Sequence, residues 1–334
     1  MKRSHRMISF LWAFFLFGFT VFAALDTFVI QHAYISVEVS SNEADSSSLS
    51  ETIQPTKNGA LDATPAIAPD QTALNVTSGP ATVSIPTPSV PGTTNTSYAD
   101  GNITITIDQL RAFDSTVYVA DVVLSSPEYL QTALANSVYG RNIKAKTSSI
   151  AEDANAILAI NGDYYGARSS GYVIRNGVLY RSTAKRNAED LVIYQDGSFD
   201  IINESDITAK ELLDMGAWNV LSFGPALIID GEIEVSERDE VGQAMASNPR
   251  TAIGIVDELH YLFVVSDGRT KDSEGLTLYE LAEVLESLGA KTAYNLDGGG
   301  SSTMVFQGQI INNPTTNGKR ISERSVSDIV CITL

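Results

Sequence analysis

From His260 to Asp297 the chain spells out one supersecondary unit. His260 to Val265 (HYLFVV) is rich in aromatic and β-branched residues and reads as a strand that ends in Ser266-Asp267-Gly268-Arg269. Thr277 with Glu280 forms a capping box, and Leu278, Leu281, Val284, Leu285 and Leu288 make one helical stripe. Gly289 suits the left-handed position that ends such a helix. Lys291 to Leu296 is a second short strand, running into Asp297. A strand–helix–strand crossover obliges the two strands to run parallel if they share a sheet. Their C-terminal ends, and with them Asp267 and Asp297, then reach one rim, where open α/β sheets bind ligands.

The second strand leads into Asn295-Leu296-Asp297-Gly298-Gly299-Gly300-Ser301-Ser302-Thr303. Glycines let the backbone approach a ligand, and successive N–H groups in such a turn can form an anion nest. The three hydroxyls that follow can bond sugar or phosphate oxygens. An ordinary β-turn is the competing reading for any Asp-Gly-Gly. Nine such residues immediately after a crossover favour a binding turn.

Strands dominate the rest of the C-terminal two-thirds. Ile103, Ile105 and Ile107 alternate with threonines, Val117 to Leu124 is a second strand, and Ser148 to Asn155 is a short helix feeding the buried strand Ala156 to Ile160. That strand runs into Asn161-Gly162-Asp163-Tyr164-Tyr165-Gly166. Asn176-Gly177, Asp196-Gly197 and Asp230-Gly231 mark three hairpins. The expectation is an α+β fold: a single catalytic domain over 101–334 with mixed β-sheets, few helices and one C-terminal βαβ unit.

The N-terminal third differs. Met7 to Leu25 is apolar and uncharged, behind Lys2, Arg3 and Arg6. That length can span a bilayer with the N-terminus inside. It favours an uncleaved signal anchor over residues 1–35, a single-pass membrane protein with its catalytic domain outside, over secretion after signal cleavage. Residues 36–100 are rich in Ser, Thr, Pro, Ala and Asn, with Tyr98 the only aromatic, and read as a disordered tether. The net charge of −18 argues against nucleic acid or an anionic membrane surface as partner. Cys331 is the only cysteine, which excludes an intramolecular disulfide.

Histidine is scarce enough to eliminate mechanisms. His5, His32 and His260 cannot furnish a Ser-His-Asp triad or a zinc site. Carboxylates remain, and glycoside hydrolysis is the reaction that runs on carboxylates alone. A divalent cation such as calcium is conceivable where carboxylates and carbonyls converge, although no EF-hand spacing is present and no metal ligands can be named.

Several stretches resemble the phosphodiester glycosidase family: AINGDYYG (159–166), GYVIRNGVLY (171–180), SFGPALIIDGEI (222–233), NPRTAIGI (248–255), SDGR (266–269), GLTLYELAEVLESLGA (275–290), NLDGGGSSTMV (295–305) and ERSVSDIVCI (323–332). The resemblance covers roughly 100–334. It implies cleavage of a sugar–phosphate bond in a sugar-1-phosphodiester, of the N-acetylglucosamine-1-phosphodiester kind. It also implies that Asp267, Asp297 and Arg250 are catalytic. Substrate contacts would come from Asn161, Gly162, Tyr165, Asn295, Gly298, Gly299, Ser301, Ser302, Thr303 and Arg324. Arg250 and Arg324 occupy the best-matched arginine positions, and guanidinium groups fork phosphate oxygens. Asn161 can bond sugar hydroxyls or an acetamido group, and Tyr165 either stacks on a sugar face or is buried in the core. Membrane placement would make cell-wall polymer or exopolysaccharide the setting. The competing reading is a carbohydrate-binding or polysaccharide-assembly protein on the same fold without turnover.

Overall fold

The computed structural model describes residues 2–33, 96–239 and 247–334, so the expected tether lies outside them except for its last residues. Three sheets surround one core. An eight-stranded sheet runs Glu232–Ile233, Ala226–Ile229, Thr292–Asn295, Arg250–Asp257, His260–Ser266, Ser115–Leu124, Ile103–Ala112, Ser97–Ala99. One five-stranded sheet carries Leu158–Asn161 between Met304–Phe306 and Asp328–Ile332. The other carries Glu189–Tyr194 and Ala217–Leu221 at its centre.

Strand periodicity distributes the apolar side chains. In His260–Ser266, Tyr261, Phe263 and Val265 face the central core together with Ile160, Leu191 and Val330 of the other two sheets. Leu262 and Val264 face the opposite way, under Leu278, Leu281 and Leu285 of the helix Leu278–Ser287. The short helices Thr147–Asp153 and Ala209–Asp214 cover the outer faces of the other two sheets in the same manner. Burial on both faces explains why these strands read as near-continuous apolar runs rather than clean alternations.

The crossover forms as its sequence dictates. Thr277 and Glu280 exchange both bonds of the capping box. Gly289 sits at φ +84°, and Ala290 N–H donates to Leu285 O at 3.1 Å, completing a Schellman end. The two strands of the unit do run in the same direction, but they are not neighbours. Arg250–Asp257 lies between them, antiparallel to both. Every strand pairing among the described residues is antiparallel, so the expected mixed sheets are antiparallel sheets. The parallel relation survives only across the interposed strand. That strand starts where its neighbours end, with Arg250 opposite Ser266 and Ala252 opposite Asn295, which brings three segments to one rim.

Two departures concern the N-terminal side. Ser97–Ala99 pairs with Thr104–Thr106, so the long sheet begins before residue 101. His32–Ala33 pairs with Gly140–Arg141, and Asn142 Nδ2 donates to Ile30 O at 3.0 Å. A side chain at Gly140 would collide with His32 O. The apolar run is helical within Lys2–Phe28, with Trp12, Phe14 and Phe15 exposed. Among the described residues no helix is long and apolar enough to cross a membrane, and no side chain before Trp12 is described, so the spanning segment finds no support here.

Candidate active site

The rim holds a cavity of about 700 Å³ lined by residues from six parts of the chain. Asp297, Gly298 and Gly299 follow the last strand of the crossover, and Arg269 follows the first. Asn248 and Arg250 open the interposed strand, Tyr164 and Arg168 flank the turn Tyr165–Ala167, and Phe223 and Arg324 complete the wall. Four arginines therefore line the cavity with Asp297, the one carboxylate among the lining residues.

Asp297 is nearly buried, and Arg324 Nη2 approaches both its oxygens, at 3.2 and 3.1 Å. Burial raises the carboxyl pKa above its ordinary value, even though Arg324, Ser301 and Gly298 pull the other way. Such a group holds a proton more readily than a solvated aspartate. Arg324 is itself aimed by Ser301 Oγ, which accepts from its Nε at 2.9 Å, and by Gly298 O at 3.1 Å. Arg269 donates to Asn248 Oδ1 at 2.8 Å and to Thr316 O at 2.6 Å. Burial and the neighbouring Arg324 charge lower its pKa. The geometry suits an anion beside a basic carboxylate.

Asp267 does not line the cavity. It accepts from Asn313 N–H at 2.8 Å, Asn313 Nδ2 at 2.9 Å, Asn312 Nδ2 at 3.2 Å and Tyr118 OH at 3.4 Å. The crossover delivers it to the same rim, but the loop 312–313 folds over it. Arg250 does line the cavity, with its Nε donating to Leu276 O at 2.8 Å.

The predicted binding residues divide. Gly298, Gly299 and Arg324 reach the cavity. Asn161 is buried, with Nδ2 donating to Asp297 O at 2.6 Å and Oδ1 accepting from Thr251 Oγ1 and Thr303 N–H, so it staples strands and positions Asp297. Gly162 packs on Asp328, which any side chain would strike. Tyr165 is buried, stacked on Tyr139 at 5.3 Å with Arg175 over its ring. Asn295 donates to Gly224 O at 2.8 Å. Ser301, Ser302 and Thr303 are fully buried and absent from the lining. The glycine run is a tight helical turn, Gly299–Ser301, rather than an open nest: the N–H groups of Gly299, Ser301 and Ser302 donate to backbone carbonyls. Gly299 has φ +63°, and a Cβ there would lie 2.9 Å from Arg269 Nη2. Gly299 thus makes room for the Arg269 guanidinium, whereas Gly298 and Gly300 admit Pro249 O and Thr316.

Six lining residues fall outside the expected set: Tyr164, Arg168, Phe223, Asn248, Arg269 and Leu296. All lie inside the matched stretches except Arg168, which is just beyond AINGDYYG. Behind them, Asp163 accepts from Arg175 at 2.8 Å, Ser222 N–H at 2.9 Å and Tyr165 N–H at 2.8 Å, tying the Phe223 loop to the core. Arg175 also bonds Asp328 at 2.8 Å, whose carboxyl is pushed up to about 8 by burial. Among the described residues no group of three or more His, Cys, Asp or Glu comes together to hold a metal ion, so calcium finds no ligand set there.

The crossover rim thus carries one buried carboxylate in a cavity that four arginines also line. Residues 154–333 match the phosphodiester glycosidase family, and the chain belongs to it. It is 30% identical over 204 residues to the SPbeta prophage-derived uncharacterized protein YomE of Bacillus subtilis (strain 168), covering 59% of this chain and 31% of that one. It is 27% identical over 206 residues to the N-acetylglucosamine-1-phosphodiester alpha-N-acetylglucosaminidase of Mus musculus, covering 57% and 40%. The chain thus spans less than half the length of these curated relatives. The auto-inhibited catalytic domain of the zebrafish N-acetylglucosamine-1-phosphodiester alpha-N-acetylglucosaminidase shares the fold, with a TM-score of 0.55 at 23% identity over 70% of this chain and 83% of that one. A hypothetical protein from Synechocystis does so with a TM-score of 0.53 at 17% identity, over 69% and 62%.

Proposed function

We propose that this chain hydrolyses the sugar–phosphate bond of a sugar-1-phosphodiester, with Asp297 as the catalytic carboxylate. The observation that carries this reading is the single buried carboxylate, its pKa raised by burial, facing a cavity ringed by Arg168, Arg250, Arg269 and Arg324. Water supplies the oxygen that bonds to the anomeric carbon, and Asp297 takes its proton. The bond from that carbon to the phosphate oxygen breaks, with its electron pair leaving on the phosphomonoester. Phosphate departs without needing an acid, so its charge is best met by cations, and Arg269 and Arg324 flank Asp297 for that purpose. Tyr164, about 40% exposed, offers the sugar the aromatic face that the buried Tyr165 cannot.

We place the activity outside the cytoplasm, on a cell-wall or exopolysaccharide substrate. The basic flank and apolar run at the N-terminus support export, whether that segment is retained or removed. The test is to incubate the full chain with a panel of sugar-1-phosphodiesters and matched aryl glycosides, measuring free sugar and phosphomonoester. Faster turnover of the phosphodiesters is expected. Equal rates contradict the phosphate reading, and saturable binding without turnover favours the non-catalytic alternative.

A further inference from the structure

Arg168 lines the same cavity as Asp297, and its side chain is held by Phe223 and Ser222 rather than by Asp297. Its guanidinium lies over the Phe223 ring at 5.3 Å, and its Nη1 donates to Ser222 O at 2.7 Å. Its backbone is pinned as well: Arg181 Nη1 donates to Arg168 O at 2.8 Å and to Tyr165 O at 3.0 Å. Stacking and the carbonyl bond fix the direction of the group while leaving most of its five N–H donors available. Among the described residues it has no carboxylate within ion-pair distance. That is unexpected in a chain with 40 acidic and 22 basic residues, where an arginine has many acids to pair with.

Charge matching in the cavity extends the point. Arg269 also bonds neutral acceptors, Asn248 Oδ1 and Thr316 O, and among the described residues no carboxylate lies within ion-pair distance of it. A phosphodiester carries one negative charge. Arg269, against Gly299 and beside Arg324, adjoins the turn that carries Asp297. Arg168 is held against Phe223 and Ser222, and the four arginines of the cavity leave positive charge over once Asp297 and one phosphodiester charge are matched.

We propose that Arg168 forms a second anion subsite, so that the preferred substrate carries a further phosphate on its leaving side, as an oligomer of sugar phosphates does. This rests on the hydrolase reading above. The shape of the subsite supports it: a flat guanidinium backed by an aromatic ring presents a fork to two oxygens of one group.

The test compares two synthetic diesters of the same sugar-1-phosphate, a methyl diester with one charge and a diester whose alcohol carries an additional phosphomonoester. The readout is the ratio of their kcat/KM values in the full chain, in Arg168→Gln and in Arg168→Lys. The full chain prefers the doubly phosphorylated substrate, and Arg168→Gln lowers that ratio by about tenfold or more, the range expected for one charge-assisted contact. Arg168→Lys, which keeps the charge but not the fork, restores part of it. Circular dichroism confirms that both variants are folded. A ratio near one in the full chain, or a ratio that Arg168→Gln leaves in place, overturns the second subsite while the hydrolase reading stands. No hydrolysis of either diester removes both.

Discussion

An aspartate that accepts four hydrogen bonds from its own protein has neither a lone pair nor a line of approach to offer a substrate. Asp267 is in that position, closing the 312–313 loop over the sheet end. Asp297 has an arginine and a cavity before it. The two leave the same kind of strand end, so the difference lies in what folds over each afterwards. Asp267→Asn turns an amide towards donors that need an acceptor, and each lost bond to a charged group is worth about 1.5–3 kcal/mol. That variant should melt about 10 °C lower by differential scanning calorimetry, with turnover per folded molecule retained. Unchanged melting with lost turnover would return Asp267 to the chemistry. The sequence gives no hint of this division, because Asn312 and Asn313 arrive from a distant loop.

Secondary elements were legible where the cause is local. The Thr277–Glu280 box, the Gly289 stop and the Asn176-Gly177 and Asp230-Gly231 turns each carry their signal within a few residues, and the two Asn/Asp positions do adopt positive φ. Pairing partners were not legible, since nothing near His260 announces that Arg250–Asp257 will insert between the crossover strands. The expected start of the domain at residue 101 met the same limit, because Ser97–Ala99 has too little pattern to read as a strand. Tyr98 of that strand packs, half-buried, against the central core. A chain beginning at residue 96 keeps this strand and is the reference for thermal unfolding. One beginning at residue 101 should melt a few degrees lower, as loss of about 1 kcal/mol of apolar burial implies. Identical melting of both would show that the edge strand contributes nothing.

At the scale of the whole molecule, acidic groups buried at the centre matter more than the net charge. Asp190 is fully buried against Glu204, and its carboxyl is pushed up to about 9, first by burial and then by that neighbour. An unfolded aspartate titrates near 3.8. Between those values the folded chain holds a proton that the unfolded chain has released, so this site costs stability progressively as pH rises and levels off above the folded pKa. Asp190→Asn stays neutral throughout. Its melting temperature relative to the parent should climb from about pH 4 to about pH 9 and then stop climbing. A difference independent of pH would mean that Asp190 is ionised in the folded state. The site itself was half legible: Asp297, Gly298, Gly299, Arg250 and Arg324 were recognisable from their stretches. Tyr164, Arg168, Phe223 and Arg269 enter the cavity only through the convergence of loops far apart in the chain.

The claim that joins these scales is that Asp297 performs the chemistry, and Asp297→Asn tests it most directly. The substitution keeps the shape and removes the basic oxygen. On a sugar-1-phosphodiester, kcat should fall by about 10²–10⁴-fold, with the melting temperature unchanged or raised, because burial already disfavours the charge. Retained turnover per folded molecule together with a lowered melting temperature would make Asp297 a structural turn residue and contradict the account.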